Sequence, residues 1–346
     1  MRRLLFKSET IVALTIVIMI MVICSFNPAF FSIGTLFNIL RSSIVMGIFA
    51  VSTMMVIIYG GVDISFTYIA ACAMYLSIRL LVSIGYTGTP VLLFVLSGII
   101  GLCFGLMNAF FISQFKLPTL IVTLGIGAAI QGFVVFFVGS EHIIDLPGHL
   151  LDFSRAGFLA TKLPTGATVS LHPAILITMA FAVIVWFLLK KTIFGRGIYA
   201  IGGSREAAER SGLNIRSIEY ALFGLVGFCA GIGGMVYACL NRQANPHLIV
   251  GSEMDVIAAV VLGGASITGG RGTVGGALLG VLLIVILNNS LILIGIPSEW
   301  QKVVIGAVII IGTTLPILQA KSRQKHGDLT VHDANIPKTE EEFQKP

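Results

Sequence analysis

The chain is 346 residues long, 56% hydrophobic and only 11% charged, with a mean hydropathy of +0.98. A soluble domain carries about 25% charged residues, so a water-facing surface is excluded for much of this chain and lipid must be its solvent. The net charge of +6 does not point to nucleic acid, because the basic residues flank apolar runs and form no stripe interleaved with aromatics.

Backbone groups in lipid need internal partners, which leaves helices or a closed barrel. Barrel strands are short and alternate polar with apolar, whereas the apolar runs here are long and do not alternate. The expected fold is therefore an all-α membrane protein. A span needs about 20 apolar residues to cross a core about 30 Å thick. Ten candidate spans follow in chain order: 11–28, 42–59, 66–84, 91–113, 119–138, 172–189, 217–240, 254–268, 274–294 and 301–318. Together residues 1–320 make one transmembrane domain. The polar tail 321–346, ending in Glu340-Glu341-Glu342, is expected to be disordered.

The N-terminus has the basic start of a signal peptide, Arg2, Arg3 and Lys7. No small-x-small cleavage site follows, only Phe26-Asn27-Pro28, so it reads as a retained first helix. The second and eighth spans are short and run into Gly60-Gly61 and Gly263-Gly264. They are the candidates for broken or re-entrant helices, which exist only where protein or a water-filled cavity covers the backbone. Lys116, the cluster Lys190, Lys191, Arg196, Arg205, Arg210 and Arg216, and Lys321, Arg323 and Lys325 fall with the N-terminal cluster on one side. The positive-inside rule makes that side, and both termini, cytoplasmic. The longest loop on the other side, 139–171, carries Glu141, Asp145, Asp152, Arg155 and Lys162 with Pro147 and Pro164, and is long enough to offer a surface to an external partner.

A weak internal duplication is visible. Tyr59-Gly-Gly-Val-Asp-Ile-Ser65 resembles Leu262-Gly-Gly-Ala-Ser-Ile-Thr268, and Lys116-Leu-Pro-Thr119 resembles Gly295-Ile-Pro-Ser298. Duplicated halves are common in transporters, yet here both Gly-Gly motifs fall on the same side.

Polar residues inside or beside apolar runs are the candidate solute pathway: Asp63 and Ser65, Asn108, Gln131, and Glu253 with Asp255. A carboxylate near the bilayer centre costs about 2.5–3.5 kcal/mol, so such groups face an interior, a partner or water. Asp63 and Glu253 equally suit helix N-termini, and Asn108 and Gln131 equally suit interhelical hydrogen bonding. Gly101-x-x-x-Gly105 and Gly276-x-x-x-Gly280 read as close-packing seams. The five cysteines lie in or beside apolar runs without C-x-x-C pairing, and no metal motif or cofactor is expected. Gly270-Arg-Gly-Thr-Val-Gly275 fits a dinucleotide pattern only by letters, since it lacks a strand and a soluble βαβ unit. No G-x-x-x-x-G-K-[ST] loop exists, so the chain is not expected to hydrolyse ATP or to be an enzyme. In the loop 190–216, Ser204 is placed to cap a short helix through Glu206, Ala207 and Ala208, and Gly212 to end it in the left-handed conformation.

Four ordered blocks resemble the membrane permeases of ribose-, galactose-, arabinose- and xylose-type bacterial ABC importers. They are Gly60-Gly-Val-Asp-Ile-Ser65, Lys116 through Gly125, Thr192 through Ile215, and Gly251 through Thr273. The resemblance implies a bacterial inner-membrane location, a second permease subunit, a cytoplasmic ATP-binding subunit and an external solute-binding protein. It makes Gly195-Arg196-Gly197 and Arg205-Glu206-Ala207-Ala208 with Gly212 look like the loop that couples to the ATPase. The family pattern continues the first block with a Val-Gly-Ser-like sequence, whereas Phe66-Thr67-Tyr68 stands here. The competing reading is a stand-alone secondary transporter or channel. That reading needs ion-coupling carboxylates deep in the bundle, and the candidates here lie near span ends.

Overall fold

The computed structural model describes residues 8–310 except 28–29, 140, 145, 147, 163–167, 294, 296, 298–299 and 308–309. Arg2, Arg3 and Lys7, loop residues Asp145, Pro147 and Pro164, Ser298 of the second repeat pair, most of the tenth span and the whole tail lie outside the described residues. In chain order the elements are α1 (Ser8–Phe26), α2 (Ile33–Tyr59), α3 (Ser65–Ser83), α4 (Val91–Phe115) and α5 (Thr119–Phe133), which runs on as a π turn, Val134–Val138. Then come α6 (Gly148–Arg155), β1 (Phe158–Lys162), β2 (Thr168–Leu171), α7 (Ala174–Lys191), α8 (Ile193–Gly203), α9 (Arg205–Arg210), α10 (Ile215–Asn241), α11 (Glu253–Leu262) and α12 (Val274–Leu293). Residues 300–307 are helical. Among the described residues, α2, α3, α4, α5 with its π turn, α7, α10 and α12 are long and apolar enough to cross a membrane. Six of the expected spans agree with helices to within two residues at each end.

The second span departs from expectation. It is neither short nor broken: α2 runs 27 residues, starting nine residues before the expected position. Arg41 lies inside this longer helix, where its Nη2 donates to the Leu240 carbonyl at 2.7 Å and so has a partner within the bundle. Ser32 starts the helix, its Oγ accepting from Thr35 N. The eighth span is shorter than expected. The ten residues of α11 rise about 15 Å, half the bilayer core, and irregular backbone flanks it on either side.

Most of α2, α3 and α10 is buried, whereas α4, α5 and α7 turn much of their apolar surface outward, as at Phe110, Leu124 and Val183. A tight seam joins α4 antiparallel to α10. A methyl group added at Gly101 would fall on the Gly227 carbonyl, one at Gly105 on the Phe223 carbonyl, and one at Gly231 on the Ser97 carbonyl. Ser97 Oγ donates to Gly231 O at 2.7 Å across the same seam. A second seam of this kind seats Gly276 against Gly263 and Gly280 against Ala259. Without a hydrophobic drive between helices in lipid, close backbone approach is a main source of helix association.

The long loop beyond α5 folds on itself. It holds α6 and the antiparallel β1–β2 hairpin, and Ile143 pairs with Ala244 just past α10. His172 ties this layer to α7: Nδ1 accepts from Ala174 N at 3.1 Å while Nε2 lies 3.1 Å from Phe153 O. That arrangement requires a neutral ring. Burial, and then the charge of Arg41, hold the His172 pKa below its ordinary value.

Two predictions follow from packing and charge. Gly105→Leu should cost about 1–3 kcal/mol or more by overpacking, read as a lower Tm in detergent. Gly125→Ala and Gly132→Ala, where nothing lies within 4 Å of an added methyl, should hold or raise Tm, because alanine gains about 0.5–1 kcal/mol over glycine in a helix. For His172, the unfolded ring takes a proton near pH 6.5 and the folded ring resists it. Its contribution is therefore present above about pH 6.5 and lost as the pH falls below that value. A Tm series from pH 8 to 5 should slope downward more steeply in the parent than in His172→Leu.

Candidate functional site

Three sets of polar groups line up from one end of the bundle to the other. The innermost of the transmembrane sets closes the break between α2 and α3. Gly60 caps α2 with a left-handed φ of 93°. Its N–H donates to Ile57 O and that of Gly61 to Val56 O, the paired bonds of a Schellman end. Asp63 then serves the start of α3: its Oδ1 accepts from Ser65 N and from Ser65 Oγ, both at 2.7 Å. Asn108 of α4 donates to Ser65 Oγ, also at 2.7 Å. Asp63, Ser65 and Asn108 are thus brought together, and all three are buried. One turn along α3, Thr67 Oγ1 donates to Glu253 Oε2 at 3.1 Å, and the same oxygen accepts from Gly251 N at 2.8 Å. Glu253 therefore closes the coil-to-helix step into α11 as Asp63 closes the step into α3.

The large residues after Ser65 take separate places. Phe66 is fully buried and packs on Phe49 with ring centroids 5.3 Å apart. Tyr68 lies over Gly127 and shares a small cleft with Gln131 of α5 and His247. Gln131 is exposed and stands apart from the Asp63 set.

Toward the end of α10 a cavity of about 420 Å³ opens between α2, α10, α11 and α12. Arg41, Tyr237, Asn241, Asp255 and Asn288 give it polar walls among Met46, Phe49 and Leu248. Its floor comes from the coil before α11, so the half-length helix is what leaves room for it. Asp255 thus lines open space, whereas Glu253, two residues away, is turned into the protein.

The opposite end carries the basic loops. A wider cavity of about 770 Å³ there is lined by Gly60–Val62, Lys116–Leu120, Ile201–Arg205 and Thr268. Three backbones meet beside it: Gly270 N donates to Ile58 O at 2.8 Å, and Gly202 abuts both. Gly264, like Gly60, is left-handed, with φ of 96°, and the N–H groups of Gly264 and Ala265 bond back to Val261 and Val260. The duplicated motifs are therefore the same helix ending, in register one residue off the match by letters, and they lie side by side.

From this junction the chain enters α9. Ser204 Oγ accepts from Ala207 N, as the sequence leads one to expect. Gly212 ends the turn with φ of 79° and the same pair of back-bonds, to Glu209 and Ala208. Ala208 is buried, whereas Glu206, Ala207 and Gly212 are exposed. In α8, Gly195 and Gly197 are buried, Gly195 against the end of α7 and Gly197 under Ile218, and Arg196 points out. Arg205 turns back to the bundle. Its Nη1 lies 2.8 Å from Glu219 Oε1 and donates to Tyr59 Oη at 2.7 Å, and Tyr59 Oη donates to Glu219 Oε1 at 2.6 Å. Sequence reading passed over Tyr59, Glu219, Arg41 and Tyr237. Glu219 carried a usable signal, a lone acid one turn into an apolar span, since such a residue needs a partner.

Comparison with known proteins places this architecture. The sequence profile described as branched-chain amino acid transport system / permease component matches residues 35–313. The ribose import permease protein RbsC of Bacillus subtilis is 35% identical over 300 residues, 86% of this chain and 89% of that protein. The L-arabinose ABC transporter permease protein AraH of Azospirillum brasilense is 30% identical over 286 residues, 82% and 80% of the two chains. The galactose/methyl galactoside import permease protein MglC of Haemophilus influenzae is 30% identical over 317 residues, 88% and 92%. No solved structure is matched. The profile spans most of the chain and includes both helix breaks, both cavities and the α8–α9 segment, so this multi-pass membrane protein belongs to the family of branched-chain amino acid transport system permease components.

Proposed function

We propose that this chain is the membrane-spanning permease of an ATP-driven importer for a monosaccharide. It works as one of two permease subunits, with an ATP-binding subunit on the basic, cytoplasmic side and a solute-binding protein on the other. The relatives named for ribose, arabinose and galactose support a sugar, because they resemble this chain over at least 80% of its length. The carrying observation is α9. It is a six-residue helix whose outer face is exposed at the basic end, yet it is rooted by its Ser204 cap, by Ala208 and by Arg205. A short helix held that way presents a surface for a motor to push, and rigid-body motion carries the push into the spans.

In this reading the solute enters by the 420 Å³ cavity. Asp255, Asn288 and Arg41 offer it hydrogen bonds, and Tyr237 and Phe49 offer ring faces. Asp63, Ser65, Asn108 and Glu253 close the helix breaks at the inner end of that path, and Gln131 flanks it. The loop with α6 and the hairpin receives the solute-binding protein.

Uptake of labelled ribose, arabinose, galactose and leucine into liposomes tests this, with and without the ATP-binding subunit and binding protein. ATP-dependent uptake of one sugar by the full complex is expected. Ion-driven uptake by the chain alone would refute the import reading, and leucine uptake would move the solute class to amino acids. In the full complex, Gly212→Arg should insert normally but lower uptake at least tenfold while ATP hydrolysis continues. Asp63→Leu should also depress uptake, and an unchanged rate would confine Asp63 to capping α3.

A further inference from the structure

Tyr59, Arg205 and Glu219 make a closed set, and Tyr59 and Arg205 also stand on the wall of the wider cavity. Glu219 is 1% exposed, in an apolar helix, and Arg205 is 44% exposed. One guanidinium nitrogen reaches both the carboxylate, at 2.8 Å, and the phenol oxygen, at 2.7 Å. The phenol donates to the same carboxylate oxygen at 2.6 Å. The three groups come from three elements: the last residue of α2, the first of α9 and the second turn of α10. Ala208 buries the inner face of α9 against the bundle. A buried acid is costly to keep in lipid, and here it adds a directional link between a cytoplasmic helix and two long spans.

The far ends of those two spans are also joined. Arg41 of α2 donates to Leu240 O of α10 at 2.7 Å, and both residues line the outer cavity. Between the joints, Tyr59 packs edge-on to Phe223 at 6.2 Å and α2 stays unbroken. A displacement applied at α9 thus meets two stiff rods fastened at both ends, with the solute cavity at the distal joint.

We propose that the Arg205–Glu219–Tyr59 set transmits movement of α9 to α2 and α10, so that Glu219 and Tyr59 are positioning residues for transport. This rests on α9 being the surface that meets the ATP-binding subunit. Loss of the link leaves ATP hydrolysis running in the other subunit while less of each stroke reaches the cavity.

The test uses the complete importer in liposomes and whichever panel sugar the parent complex accumulates; a parent that accumulates none refutes the import reading. Two quantities are read: sugar moved per ATP hydrolysed, and the yield of a photocrosslink from Ala207→Cys to the ATP-binding subunit. Glu219→Gln and Tyr59→Phe should each raise ATP consumed per sugar at least fivefold with the crosslink unchanged. Arg205→Lys, which keeps the charge but not the fork, should fall between them and the parent. An unchanged ratio in both variants, with the crosslink intact, overturns the proposal alone. Absence of the crosslink in the otherwise unaltered chain overturns the docking reading and this proposal with it. Should Glu219→Gln fail to insert, Tyr59→Phe decides, because it removes one hydroxyl from a ring that still packs on Phe223.

Discussion

A backbone group in hydrocarbon has no water to turn to, so every interruption of a helix in this protein has to be closed by the protein itself. That constraint governs where the chain breaks and which residues stand at the breaks. The ends of α2 and α11 are closed by their own back-bonds around Gly60 and Gly264. The starts of α3 and α11 are closed by Asp63 and Glu253, each accepting a backbone N–H two residues away. The carboxylates lie where the breaks lie, and the breaks make the cavities. In the proposed reading, the groups that close the breaks also flank the solute path.

Against these interruptions stands a continuous frame. The α4–α10 seam brings main chain onto main chain at Gly101, Gly105 and Gly231, leaving little side chain there to repack. Such a seam moves as one body. The half-length α11, by contrast, is held by a coil on one side and a glycine-rich loop on the other. The frame is interrupted in the coil and loop that flank α11, at the junction of Gly60, Gly202 and Gly270, and at α9.

Much of this was legible in the sequence, for stated reasons. Helical spans showed because lipid demands long apolar runs. The α9 cap at Ser204 and its end at Gly212 showed because capping is local chemistry. The Gly101–Gly105 and Gly276–Gly280 spacings marked true seams. What failed was tertiary. Arg41 was passed over because its partner, the Leu240 carbonyl, lies 199 residues away. Glu219 and Tyr59 were passed over because their tie exists only once α2, α9 and α10 meet. Asp63 and Asn108 were singled out one by one, yet their mutual connection through Ser65 needed the fold. Gln131 sits apart from them because α5 turns that face outward.

The coil 242–252 has a consequence for how the chain tolerates change of length. One residue inserted in α10 would rotate everything beyond it by about 100°, swinging the Gly227–Gly231 stripe off α4 or pulling Glu219 away from Arg205. The same insertion among the exposed coil residues Arg242, His247 and Leu248 shifts no helical phase. The floor of the outer cavity can therefore lengthen or shorten while the frame keeps its register. Cavity depth is adjustable by insertion and deletion here in a way that α2, α4 and α10 forbid.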